Sequence, residues 1–164
     1  MKTVGIISDT HGRLSATAAC ALVECDYIIH AGDIGDLGIL AELRQYAPVT
    51  AVLGNNDYAE YGPSVGSYAV LGVEEVAFVV SHKPKDARRI LSQPDIYGST
   101  QYAACVSVHG HVHYPVLLSG AEAAPADWLV CPGSASFPRC GSQASVAFVQ
   151  VEGPNILNVW IETL

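Results

Sequence analysis

The sequence predicts an α/β fold of two packed β-sheets with helices on the outer faces, and three observations carry that prediction. The first third alternates short apolar runs with helix-periodic segments in the order β-α-β-α-β, the pattern of a parallel sheet covered on both faces. The later part is rich in short strands joined by tight turns and reads as mostly antiparallel. Half of the residues are hydrophobic and only 15% are charged, which excludes intrinsic disorder and supplies a large core. The length of 164 residues suits a single domain spanning 1–164.

Taken in order, Val4-Gly5-Ile6-Ile7 is a buried strand that ends in Ser8-Asp9-Thr10-His11-Gly12. Leu14 to Glu24 is Ala-rich with apolar residues at helical spacing. Asp26 to His30 is the second strand, with Ala31-Gly32-Asp33 as its exit. Leu37 to Tyr46 is the second helix. Val49 to Leu53 is the third strand, closed by Gly54-Asn55-Asn56-Asp57. Val76 to Ser81 is a strand, followed by a helix from Pro84 to Leu91 with proline at its start. Ala104 to Val108, Pro115 to Ser119, Trp128 to Cys131, Ser145 to Val151 and Ile156 to Glu162 complete the strands. Glu152-Gly153-Pro154-Asn155 is the turn of a closing hairpin. Gly120 to Asp127 reads as a surface loop.

Charge and cysteine usage narrow the functional classes. A formal charge of −8 argues against duplex nucleic acid as a partner and suits bound cations. The five cysteines form no Cys-x-x-Cys pair, so neither a disulfide framework nor a thiolate zinc site is expected. Reduced thiols fit a cytoplasmic protein. Met1-Lys2-Thr3 runs straight into a strand, so no signal peptide is expected, and no apolar run is long enough to cross a bilayer.

Strand after strand ends in a side chain able to bind metal. Asp9 and His11 follow the first strand, Asp33 the second and Asn55 the third. His82 follows the strand at 76–81, and His111 and His113 follow the strand at 104–108. Strand ends on one edge of an α/β sheet are where sites assemble. The set mixes nitrogen and oxygen donors, which suits Mn²⁺, Fe²⁺, Zn²⁺ or Co²⁺ better than Ca²⁺. Seven donors exceed the need of one tetrahedral ion and suffice for two if a carboxylate bridges. Each has a plainer reading. Asp9 and Asp33 are also good helix caps, and Gly54 to Asp57 is a turn sequence in its own right. His109 and His30 read as structural strand-end histidines. Cys131 reads as a buried inert thiol, Lys83, Lys85, Arg88 and Arg89 as a solvated helix face, and Tyr58, Tyr61 and Tyr68 as lining a pocket or an oligomer contact.

Ser8-Asp9-Thr10-His11-Gly12, His30-Ala31-Gly32-Asp33, Gly54-Asn55-Asn56-Asp57, Gly110-His111-Val112-His113 and Pro132-Gly133-Ser134 resemble, in this order, the motifs of the calcineurin-like metallophosphoesterases. The Gly-Asn-x-Asp form and the short length resemble the small prokaryotic phosphodiesterase branch. The resemblance runs from residue 3 to about residue 139. It implies a four-layer αββα sandwich of two mixed sheets and a dinuclear site. One ion would take Asp9, His11 and His113, the other Asn55, His82 and His111, with Asp33 bridging. Asp33 and Asn55 are the expected catalytic residues and Arg139 an expected phosphate contact. The implied activity is phosphoester hydrolysis by a metal-bridging hydroxide attacking phosphorus in line. The substrate would be a small phosphodiester or phosphomonoester. Mn²⁺ is the first expectation for the metal, with Fe²⁺, Ni²⁺, Zn²⁺ or Co²⁺ as alternatives. A homo-oligomer is compatible with the apolar composition.

Three positions depart from the family pattern. His82 is followed by Lys83-Pro84 where the family usually has glycine. Asn56 stands where larger phosphatases carry a histidine that assists the leaving group, which favours selective diester hydrolysis over a fast general monoesterase. Cys131 stands where an asparagine usually precedes Pro-Gly-Ser. The rival reading is a protein-interaction scaffold, because the eukaryotic retromer subunit resembles this fold. All seven ligand positions hold competent residues here, which favours the enzyme.

Overall fold

Every strand and helix predicted above forms, with ends moved by a few residues. The structure, a computed structural model, describes residues 1–93, 95, 98 and 101–164. The elements are β1 (Lys2–Ile7), α1 (Ala16–Leu22), β2 (Tyr27–His30), α2 (Leu37–Leu43), β3 (Val49–Ala51), β4 (Tyr68–Val73), β5 (Val76–Ser81), α3 (Pro84–Leu91), β6 (Ala104–Val108), β7 (Pro115–Ser119), β8 (Trp128–Pro132), β9 (Ser145–Glu152) and β10 (Asn155–Thr163). They build two five-stranded sheets, ordered β10-β9-β1-β2-β3 and β4-β5-β6-β8-β7.

Both sheets are mixed. In the first, β1, β2 and β3 run parallel, while β9 and β10 add antiparallel strands through the closing hairpin. In the second, β5, β6 and β8 are parallel, and only the edge strands β4 and β7 are antiparallel. The expectation of a mostly antiparallel second half is therefore corrected. Its centre is parallel, which is why β5 is buried along its whole length and reads as an unbroken apolar run. β4 has no counterpart among the predicted strands. It is an edge strand with mostly half-exposed residues, and its apolar run is interrupted by Gly72.

The sheets pack face to face through alternate residues. Val4 and Ile6 of β1, Val76, Phe78 and Val80 of β5, Val106 and Val108 of β6, and Ala147, Val149 and Val151 of β9 form the core between them. The opposite faces carry the helices. Ile7, Ile28, Val146 and Phe148 pack against Ala18, Leu22, Leu40 and Leu43 of α1 and α2. Ala77 and Val79 pack against Ile90 and Leu91 of α3. The period of two on a strand sends one set of side chains to each face, so the result is the four-layer αββα sandwich.

The helix starts settle the capping alternatives. Ser15 caps α1, its Oγ accepting from Ala18 N at 3.1 Å, and Asp36 caps α2, accepting from Gly38 N. Asp9 and Asp33 cap neither helix and are left to another role. The stretch from Gly120 to Asp127 is a loop as expected, with a short 3₁₀ turn at Gly120–Glu122, and Ala123 and Ala126 anchor it in the interior.

Candidate metal centre

The C-terminal ends of β1, β2 and β3 and those of β5 and β6 meet along one edge of the sandwich. Backbone bonds extend the strand pairing into the loops. Asp9 N donates to Gly32 O, His11 N to Asp33 O, and Gly110 N to His82 O, at 2.9–3.0 Å. The chain then turns its polar side chains inward by an unusual backbone conformation. Asp9, His11, Asp33, His111 and His113 have φ of 53, 46, 54, 73 and 64°. Left-handed backbone at residues other than glycine costs on the order of 1 kcal/mol or more apiece and gathers at functional sites. Five such residues among seven candidates mark this edge as shaped for something other than stability.

The first group is Asp9, His11, Asp33 and His113, whose ligand atoms lie within 4.8 Å of one another. His113 Nδ1 donates to the Phe137 carbonyl at 2.7 Å, which leaves Nε2 as the free ring nitrogen. That Nε2 lies 3.1 Å from Asp9 Oδ1 and 3.3 Å from His11 Nε2. Asp9 Oδ1 is fully buried and accepts no hydrogen bond, whereas Oδ2 accepts from Ser8 Oγ at 2.6 Å and His111 N at 3.0 Å. In the neutral tautomer a lone pair on His113 Nε2 therefore faces a lone pair on a buried carboxylate. Such a pairing is unfavourable unless a cation lies between them.

The second group repeats this arrangement. His82 Nδ1 donates to the Ala31 carbonyl at 2.8 Å, so Nε2 points to Asn55 Oδ1 at 3.2 Å and Asp33 Oδ2 at 3.5 Å. The His111 ring stands edge-on to the His82 ring at 5.1 Å. Asp33 Oδ2 also lies 3.6 Å from His11 Nε2, so Asp33 stands between the two groups. Burial pushes its carboxyl pKa up, but the adjacent His82 ring and the two hydrogen bonds from Asn56 outweigh that and hold it well below the usual carboxylate range. Burial depresses His82, and the adjacent Asp33 carboxylate more than restores it. All seven predicted residues thus converge on one edge. Asp9, Asp33, His82 and His113 are almost fully buried, His11 and His111 are half-buried, and Asn55 is exposed. The donor chemistry fits divalent transition ions: neutral imidazole nitrogens, two carboxylates and an amide oxygen.

Two residues without an assigned role prove to hold the site together. Asn56 donates to Asp33 twice, from its backbone N to Oδ1 at 2.9 Å and from Nδ2 to Oδ2 at 2.7 Å. Asp57 accepts from Ile34 N at 2.9 Å, Gly35 N at 3.1 Å and Gly54 N at 2.8 Å, and its Oδ1 lies 3.3 Å from the Tyr61 hydroxyl donor. It ties the loop carrying Asp33 to the loop carrying Asn55. Asp57→Asn replaces one acceptor oxygen with a donor that must oppose a backbone N–H. It is expected to cost about 2 kcal/mol, read as a lowered urea midpoint with an unchanged slope.

The plainer side chains keep their plainer places. His30 is fully buried; its Nδ1 accepts from Gly32 N and its Nε2 lies 2.9 Å from Thr10 Oγ1, whose hydroxyl donates to Ile34 O. Burial lowers its pKa to about 4, so it is neutral at pH 7. His109 donates from Nδ1 to the Gly110 carbonyl. Cys131 is buried and its thiol is pushed up by burial to about 12, which keeps it protonated and inert. Tyr61 is a core residue, while Tyr58 and Tyr68 are exposed. Lys83 lines a small cavity with Asn55 and His82. Arg139 donates its backbone N to the His113 carbonyl and lines a cavity of about 460 Å³ with His11, His113, Phe137 and Pro138.

A layered αββα sandwich with paired His and carboxylate donors at one edge defines a metallophosphoesterase fold. The chain belongs to the calcineurin-like phosphoesterase superfamily, whose domain matches residues 1–153. A probable metallophosphoesterase of Methanothermobacter thermautotrophicus is 28% identical over 158 residues, 93% of this chain and 88% of that protein. Among solved structures, the E. coli phosphoesterase Yfce shares the fold with a TM-score of 0.64 at 21% identity, over 96% of this chain and 98% of that one. Vps29 from Entamoeba histolytica, solved with Zn²⁺, shares it with a TM-score of 0.71 at 15% identity, over 98% and 97%.

Proposed function

We propose that the protein is a metal-dependent phosphodiesterase in which Asp9, His11 and His113 hold one divalent ion, Asn55, His82 and His111 hold a second, and Asp33 bridges them. The observation that carries this reading is the facing of acceptor atoms with no hydrogen between them, above all the orphaned Asp9 Oδ1 against His113 Nε2. When bound, two divalent ions supply Lewis-acid charge at a phosphoryl group and lower the pKa of water. The chain's own residues do the positioning. The Phe137 and Ala31 carbonyls fix the rings of His113 and His82, and Asn56 holds the Asp33 carboxylate. Fixing a ligand's tautomer and direction in this way raises metal affinity. Arg139 offers a guanidinium fork to phosphate oxygens at the open side. Asn56 carries no titrating proton for a leaving group, and its amide is engaged by Asp33. This supports a preference for diesters with good leaving groups. Mn²⁺ is the first metal to try. The five free thiols support a reducing, cytoplasmic setting.

A scaffold role on the same fold is the second reading, favoured by the likeness to Vps29. Chelator-treated protein reloaded with Mn²⁺, Fe²⁺, Co²⁺, Ni²⁺ or Zn²⁺ separates the two. The enzyme reading expects close to two ions per chain by elemental analysis, and metal-dependent release of nitrophenol from bis(p-nitrophenyl) phosphate. Absence of turnover with every ion leaves the scaffold.

A further inference from the structure

We infer that the Phe137 ring is a stacking platform that selects phosphoesters bearing a flat aromatic group beside the phosphate. The inference rests on the phosphodiesterase reading and names the substrate class that the site takes.

Phe137 is 39% exposed, although burying a phenyl ring is among the most favourable contributions a residue can make to folding. It is not exposed through looseness. Its backbone N accepts no freedom: it donates to Ser134 Oγ at 2.8 Å, and Ser134 Oγ in turn donates to the Asp9 carbonyl. Its carbonyl receives His113 Nδ1, the neighbouring Ser136 Oγ donates to Arg13 O, and Pro138 follows it. The ring is thus held at the edge of the site by four elements of the same loop cluster.

Its surroundings are those of a platform. The ring meets His11 edge-on with centroids 5.5 Å apart, and the Arg13 guanidinium lies 5.4 Å from its centroid. The remainder lines the cavity of about 460 Å³ that opens from His11 and His113 and is bounded by Pro138 and Arg139. That volume falls in the range of small-ligand sites. A phosphoryl group between His11, His113 and Asp33 would direct one ester arm into this cavity, across an apolar ring and toward a cation. An alkyl arm leaves the ring's face in water, whereas an aryl or nucleobase arm covers it. Aromatic pairs gain about three- to ten-fold in affinity over apolar contact alone.

Isothermal titration with phenylphosphonate and methylphosphonate tests this apart from turnover, because neither has an ester bond to break. Metal-loaded wild type is expected to bind the phenyl compound about three- to ten-fold tighter than the methyl compound. Phe137→Leu, which keeps apolar bulk and both backbone bonds, is expected to lower the phenyl-to-methyl affinity ratio about three- to ten-fold below that of wild type. Phe137→Tyr is expected to keep the preference. The kinetic arm uses p-nitrophenyl esters of methyl phosphate, phenyl phosphate and thymidine 5′-phosphate, which share one leaving group. The ring-to-methyl ratio of kcat/KM is expected to fall about three- to ten-fold in Phe137→Leu, through KM. A ratio raised for both ring esters supports any flat ring, and one raised for the thymidine ester alone supports a nucleotide. Equal ratios in wild type and Phe137→Leu, in binding and in turnover, overturn the platform. Wild type that binds the phenyl compound tighter but hydrolyses none of the esters sinks the phosphodiesterase reading and leaves the platform standing.

Discussion

Asp33→Ala is expected to lower phosphodiester turnover at least about 10²–10³-fold and to leave the protein short of both metal equivalents rather than one. The reason is its place. Asp33 Oδ2 lies 3.6 Å from His11 Nε2 and 3.5 Å from His82 Nε2, so the same oxygen serves both groups of donors. Its removal strips each group of its shared anion and leaves neutral imidazoles that hold a cation less tightly. His113→Ala makes the contrast. It removes the partner of Asp9 Oδ1 but touches nothing in the group of Asn55, His82 and His111, so it should cost one ion. Both variants should keep the fold, because neither side chain belongs to the apolar core between the sheets. Elemental analysis, turnover of an aryl diester and circular dichroism read the three outcomes. Asp33→Ala protein with two bound ions, or with undiminished turnover, would refute the bridging assignment.

What the sequence revealed of this site was its candidate donor types and their strand-end positions, and what it hid was the geometry that makes them converge. Short apolar runs ending in Asp9, Asp33, Asn55, His82 and His111 are visible because a parallel strand buried on both faces leaves a continuous apolar trace that a polar residue interrupts. The left-handed backbone at Asp9, His11, Asp33, His111 and His113 leaves no such trace, since aspartate and histidine occur in many conformations. Asn56 and Asp57 were hidden by their own plausibility. A Gly-Asn-Asn-Asp turn accounts for both without any long-range partner, yet they bind Asp33 and the loop at Ile34 and Gly35, 22 to 23 residues away. β4 was hidden for a different reason. Tyr68-Ala69-Val70-Leu71-Gly72-Val73 is an apolar run, but Gly72 within it is unfavourable in a strand interior and weakens the signal. The parallel order of β5, β6 and β8 was likewise invisible, because orientation depends on the path of the connections and not on strand composition.

Gly110→Ala is expected to be among the most damaging single methyl groups that can be added near the site. A Cβ at Gly110 would overlap Ser8 Oγ and lie 2.7 Å from Asp9 Oδ2 and 2.9 Å from the Ala31 carbonyl oxygen. Three atoms on two different strands' exits would have to give way at once. Ala31 cannot move readily, since its N–H is bonded to Ile7 O and its carbonyl receives His82. Ser8 can turn aside only by abandoning Asp9 Oδ2, which then loses one of its two donors. Any shift of the Asp9 carboxylate carries Oδ1 away from His113. Overpacking of a rigid interior typically costs 1–3 kcal/mol, and this position should lie at the upper end, about 3 kcal/mol. Gly66→Ala supplies the control. Its Cβ would meet only Tyr68 O, at an ordinary 3.7 Å, so its stability should stay within about 1 kcal/mol of wild type. Urea midpoints and metal content measured on both variants distinguish a strained site from a generally weakened fold. Gly110→Ala protein with a wild-type midpoint and a full metal complement would show that the edges of the two sheets are looser than their hydrogen bonds imply.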